Sequence, residues 1–148
     1  MNALEQLFSN KMLWVAILSW FVAQLLKVIV TLWQEHRLDL SKFWASGGMP
    51  SSHSSFVMAL TISIGQGYGY DSAYFAISAV FSFIVMYDAA HVRLEAGKQA
   101  AVINQIIEVL ENPDLNPEER LKEILGHTPL QVIAGGILGI IIAILCYL

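Results

Sequence analysis

Of the chain's 148 residues, 56% are hydrophobic and only 14% are charged, against roughly 45–50% and about a quarter in soluble domains. The mean hydropathy is +0.59, and eight Lys and Arg side chains cannot solubilise that much apolar surface, so a small water-soluble bundle is excluded in favour of a membrane protein. No basic stripe interleaved with aromatics supports nucleic-acid binding, the single Cys146 rules out an internal disulfide framework, and the net charge of -4 matters less than where the charges lie.

The first apolar run, MLWVAILSWFVAQLLKVIVTLW, covers residues 12–33. At ~1.5 Å per residue it can cross the ~30 Å hydrocarbon core. Lys27 is followed by further apolar residues rather than a small-residue cleavage site, so this segment is expected to be retained and not removed as a signal peptide. Next comes GGMPSSHSS, residues 47–55, a polar cluster at the doorstep of a second apolar run, 54–67. That run is short for a span unless tilted or shielded. A third runs over 72–90 and a fourth over 129–148.

Between the third and fourth runs lies a polar insertion, about residues 92–126. AGKQAAVINQIIEVLE, residues 96–111, sets Ala100, Ile103, Ile107 and Leu110 at helical spacing, which predicts an amphipathic helix. NPDLNPEE interrupts it, and Asn116 or Asp114 can cap a short helix over 117–125 that stops at Gly126. The expected fold is one all-α integral membrane bundle over residues 1–148, with about four or five spans.

Charge sets the expected orientation. With four spans, the loops 34–50 and 91–126 share one side and carry Arg37, Lys42, Arg93, Lys98, Arg120 and Lys122, while the other side carries only Lys11. The long loops are therefore expected in the cytoplasm. A re-entrant second segment would change this parity.

That topology gathers polar groups at one depth. His53 opens the second segment, His127 opens the fourth in Gly126-His127-Thr128-Pro129, and Asp88 and Arg93 close the third. Lys27 lies at a similar depth in the first. Ionisable groups within a bilayer are costly and usually functional. Pro129 suits a first helical turn, Thr128 its cap, and Ser51 or Ser52 the cap of the helix starting near His53. Helix starts favour anions. Two histidines, serine hydroxyls and the cations Lys27, Arg37, Arg93, Lys98 and Lys122 form a phosphate-handling set, in which one histidine attacks phosphorus and the other protonates the leaving oxygen.

Plainer readings stand beside this one. Either histidine alone can be a capping or interfacial residue, Lys27 can snorkel, and His36 and His91 read as interfacial. Gly135 and Gly139 follow His127 and Gln131 in steps of four and suit close helix packing. Trp14, Trp20, Trp33 and Trp44 read as belt or lipid-facing. A metal held by His53, His127 and Asp88 is the weaker alternative, because no HxxxH or HExxH pair exists.

GGMPSSHSSF, MYDAAHVRLEAGKQAAVINQI and LGHTPLQVIAGGILGI, in that order and over nearly the whole chain, resemble the divergent PAP2 family of acid phosphatase and vanadium-dependent haloperoxidase-related membrane proteins. The resemblance implies that Pro50-Ser51-Ser52-His53 matches the motif carrying the general acid, with Ser51 donating to phosphate and His53 as the acid. It implies His127 as the nucleophile. The superfamily's acidic partner, four residues after the nucleophile, is Gln131 here, and Asp88 is a spatial substitute for it. Leu121 stands where an arginine is usual, with Lys122 beside it. Lys27 and Arg37 are the nearest remnants of the first motif.

The expected function is hydrolysis of a lipid phosphomonoester through a phosphohistidine at His127, with phosphate held by Lys27, Ser51, Ser52, Arg93, Lys98 and Thr128. No cofactor or metal is expected. The expected partners are the bilayer and a phosphorylated membrane lipid, with homo-oligomerisation left open. The alternative is a non-catalytic protein that binds or moves phosphorylated lipids. A channel or transporter would need polar residues through both leaflets, whereas these crowd one.

Overall fold

The computed structural model of the chain describes residues 2–36, 43, 48–109 and 127–148, which are helical or in short turns, with no strand among them. The helices are α1 (Ala3–Phe8), α2 (Lys11–Glu35), α3 (Ser52–Tyr68), α4 (Ala73–Tyr87), α5 (Arg93–Val109) and α6 (Pro129–Tyr147), with a π-helical turn, Asp88–Val92, joining α4 to α5. Side chains able to accept from the free amides of a first turn start most of them. Asn10 caps α2, Ser51 caps α3, Ser72 caps α4 and Thr128 caps α6. Both predicted caps of the PSSH and GHTP blocks, Ser51 and Thr128, act as read. The expected short helix over 117–125, its caps Asp114 and Asn116, and the cations Arg37, Lys42, Arg120 and Lys122 lie outside the described residues.

Three stretches are long and apolar enough to cross a bilayer: Lys11–Trp33, Ala73–Ile106 and Pro129–Tyr147. This is an all-α membrane bundle. The remaining expected crossing, the second apolar run, is α3, which has 17 residues and spans roughly 25 Å, short of the hydrocarbon core. α3 is the central helix, packed against α2, α4 and α6, so it presents most of its length to protein rather than lipid.

Paired contacts give the direction of each helix. Ser19 on α2 bonds Ser55 on α3, Val15 packs in one cluster with Ala59, and Met12 lies against Gly67, so α2 and α3 are antiparallel. Thr61 bonds Ser78 and Ser82 of α4, while Ser82 also reaches the Val57 carbonyl; α4 is antiparallel to α3 as well. Gly135 faces Ser51, Gly139 faces Ser55 and Ala143 joins Ala59, so α6 runs parallel to α3. The ends of α2 and α4 and the starts of α3 and α6 therefore lie at one end of the bundle.

The α3–α6 seam is too close for side chains. A Cβ on Gly135 would overlap the carbonyl oxygen of Ser51, and one on Gly139 would overlap that of Ser55. Small residues at such a crossing let backbones approach where no hydrophobic force drives helices together in lipid.

The third segment differs from expectation. A helix ending near residue 90 and a separate amphipathic helix over 96–111 were predicted, whereas α4, the π turn and α5 form one continuous rod. No proline interrupts residues 73–109, so nothing forces a stop. The inward face of α5 also differs. Gly97, Ala100 and Asn104 are buried while Ile103 is exposed, so among the described side chains the packed stripe is marked by small residues and Asn104; Leu110 and the side chain of Ile107 lie outside the description.

Candidate phosphate site at the helix starts

Two backbone bonds tie the GHTP and PSSH blocks into one unit. The Ser51 N–H donates to the Gln131 carbonyl oxygen at 3.0 Å, and the His127 N–H donates to the Ala89 carbonyl oxygen at 3.0 Å. The first joins the turn before α3 to the opening turn of α6. The second joins α6 to the π turn, where a carbonyl is released from the usual helical ladder. His127 is thereby held in the interior, with 4% of its surface accessible.

The His127 ring is oriented by Gln131. Nδ1 lies 3.2 Å from Gln131 Oε1, and the same oxygen accepts from the Thr128 N–H at 3.1 Å. That backbone donor fixes which end of the amide faces inward, because its nitrogen could not accept. Oε1 is therefore an acceptor towards the ring, and favours a proton on Nδ1 of His127. Burial pushes the His127 pKa below the ordinary histidine range. The Gln131 hydrogen bond opposes this, nearby Lys27 and His53 reinforce it, and the Gly48 backbone acts in the direction of Gln131. The neutral form prevails at pH 7.

Lys27 enters the same space from α2 with 2% of its surface accessible. Its stem passes beneath Gly48, where a Cβ would sit 3.2 Å from Lys27 Cγ and where φ is +84°. Glycine suits both demands. Charged neighbours of His53 are Arg93, Lys27 and Asp88. Ser51 is fully buried, and its Oγ accepts from the Ser54 amide and hydroxyl at 3.4 and 3.0 Å. Ser52 is buried in the first turn of α3. Thr128 Oγ1 accepts from the Gln131 amide at 3.4 Å and so acts as a helix cap.

The π turn determines what Asp88 does. In a π-helical turn the hydrogen-bonded step is five residues, which brings residues 88 and 93 over one another; an α-helix would splay them. Arg93 Nε meets Asp88 Oδ2 at 2.7 Å. The carboxylate is thus engaged with Arg93, while Gln131 occupies Nδ1 of His127. Lys98 is not brought to this cluster, and pairs instead with Glu95 at 2.6 Å on the exposed face of α5. His91 stacks on Tyr87, ring centroids 4.4 Å apart. Among the described residues no three His, Cys, Asp or Glu side chains converge as metal ligands would.

One residue the sequence reading passed over is Gln24. It is buried, and its Oε1 lacks a hydrogen-bond partner among the described residues. The signal was available: a glutamine inside an apolar run, three residues before a buried lysine, shares that lysine's helix face.

An all-α membrane bundle with two histidines and a buried lysine gathered at its helix starts defines the class. The chain belongs to the divergent PAP2 family, whose sequence profile matches residues 8–142. It is similar to the uncharacterized membrane protein YuiD of Bacillus subtilis (strain 168), with 40% identity over 133 residues, covering 82% of this chain and 84% of that protein. No solved structure matches it.

Proposed function

We propose that the protein is a membrane phosphatase that hydrolyses a phosphomonoester on a lipid headgroup, with its site at the cytoplasmic end of the bundle. The observation that carries this reading is the buried His127 ring, held at Nδ1 by Gln131 and set near the buried Lys27. In the first step Nε2 attacks phosphorus, the bond from phosphorus to the ester oxygen breaks with its electron pair, and protonated His53 gives that oxygen its proton. Water then gives a proton to neutral His53 and attacks the phosphohistidine. The phosphorus–nitrogen bond breaks, and inorganic phosphate leaves. Lys27, Arg93 and the donors around Ser51 and Ser52 stabilise the equatorial oxygens, with Asp88 steadying Arg93. The excess of Lys and Arg in the loops at this end favours the cytoplasmic assignment.

The test is phosphate release by purified protein from a panel of phospholipid and prenyl phosphates, beside His127→Ala and His53→Ala. Release that vanishes in both folded variants, with acid-labile phosphate trapped on wild-type His127, supports the scheme. Equal background in all three proteins refutes it. A second reading, binding without turnover, is favoured by Gln131 itself, because an amide orients the ring but cannot neutralise an imidazolium as a carboxylate does. Its mark would be saturable lipid-phosphate binding with no release.

A further inference from the structure

Two apolar grooves flank the PSSH turn. One, of about 440 Å³, lies between α2 and α3 and is lined by Ile17, Trp20, His53, Phe56 and Val57. The other, of about 310 Å³, lies between α2 and α6, with Leu26, Val30, Pro50 and Ile137 in its wall. They differ in one respect. The first ends at an imidazole whose charged neighbours are Arg93, Lys27 and Asp88, the carboxylate being paired with Arg93, so that Lys27 leaves the set net cationic. The second has no ionisable side chain in its wall among the described residues.

We propose that the α2–α3 groove receives the hydrocarbon chain of a phosphate-headed lipid, seated so that the headgroup meets His53. The groove descends along α2 from Trp20 to Ile17, one turn further into the apolar layer, and among the described residues its wall is apolar apart from the imidazole and the indole N–H of Trp20. A shape that is cationic at the head and apolar along the body complements an amphiphile with an anionic head. It also brings the ester to the bundle sideways, so the phosphate need not leave the interface. The inference rests on reading the helix-start cluster as a phosphate site, and it adds where the rest of the substrate lies.

The experiment uses the full chain in detergent with hexadecyl phosphate bearing a mid-chain diazirine, and with the matching diazirine hexadecanol. Photolabelling is mapped by peptide mass spectrometry, and phosphate release is followed in parallel. Labels are expected to concentrate on Ile17, Trp20, Phe56 and Val57, with the phosphate probe about tenfold above the alcohol, as one charge-assisted contact would give. Ile17→Trp, which fills the groove, should remove most of this labelling, and Ile137→Trp, which fills the other groove, should leave it at the wild-type level. Equal labelling by the alcohol, or labels spread over lipid-facing positions such as Phe81 and Ile133, overturns the proposal without requiring any variant to fold. Release of phosphate with no label in the groove overturns the groove and leaves the hydrolase. Headgroup-dependent label with no release sustains the groove and overturns the hydrolase.

Discussion

Two sets of buried polar residues occupy this bundle, and they behave differently. Deeper along α3 the hydroxyls close on one another. Ser19 and Ser55 lie 2.6 Å apart and each reaches the other's backbone carbonyl, and Thr61 and Ser82 lie 2.7 Å apart, with further bonds to the Ser78 and Val57 carbonyls. At the helix starts the groups are ionisable, and His127 retains a lone pair after its orienting bond is made. Burial of polar groups in a membrane bundle is thus no sign of function by itself. The Ser19–Ser55 and Thr61–Ser82 hydroxyls join helices, although the buried Ser63 Oγ has no partner among the described residues; the upper set is the one that carries the ionisable groups. The comparison also corrects the expectation that polar residues crowd one leaflet, which holds for the ionisable ones alone. A conduit does not follow, because the hydroxyls pair closely and the Gly139 crossing has no room even for a methyl group.

The largest effect expected at the upper set is from His127→Ala. Removing a covalent nucleophile should lower phosphate release by roughly 10³-fold or more, measured against wild type at equal folded fraction. Residual release within tenfold of wild type would place the nucleophile elsewhere.

Gly135→Val should come next. Its side chain would drive into the Ser51 carbonyl and part the PSSH turn from α6, at a cost of about 1–3 kcal/mol. Thermal unfolding in detergent reads the stability, and lipid-phosphate affinity reads the separation of the two blocks. An unchanged midpoint with unchanged affinity would show that the seam does not hold the site together.

Gln131→Glu sharpens the comparison through pH. Burial holds the His127 pKa below its ordinary value of about 6.5, and the neutral ring is the attacking form in the proposed scheme, so the acid limb of the rate profile should lie below pH 6.5. Stability follows the same sign: in that window the unfolded chain binds more protons than the folded one, so stability is full above about 6.5 and declines as pH drops beneath it. A glutamate keeps the cap on Thr128 but sets a carboxylate beside Nδ1. That raises the His127 pKa and moves the acid limb of the rate profile upward. A limb that stays in place would mean that His127 is not the group being titrated.

Much of this arrangement was legible from residue types and spacing. Caps at Ser51 and Thr128, glycines at steps of four, and the shared depth of Lys27, His53, Asp88 and His127 follow from helix geometry once apolar runs are read as crossing segments. The π turn was not legible, since an extra residue in a helix leaves no mark in an Ala-rich stretch such as Asp88-Ala89-Ala90-His91-Val92, and the engagement of Asp88 with Arg93 depends on it. Nor did α3 announce that it is central. Its hydroxyls lower its hydropathy and suggest a marginal span, yet their partners are hydroxyls and carbonyls of α2 and α4 that only the packing reveals.

The smallest effect tests whether the deep set is only structural. Thr61 and Ser82 touch nothing assigned to phosphate, and interhelical hydrogen bonds within membranes are worth about 0.6 kcal/mol on average. A double-mutant cycle of Thr61→Val and Ser82→Ala should therefore return a coupling near that size, with turnover and lipid-phosphate affinity unmoved. Valine matches threonine in shape, so loss of the hydroxyl rather than a cavity is what the cycle reports, and Ser82 in the single variant still bonds the Val57 carbonyl. If Thr61→Val instead abolished phosphate release in a folded protein, the deep hydroxyls would belong to the working site, and the division between helix-joining hydroxyls and the ionisable set would fail.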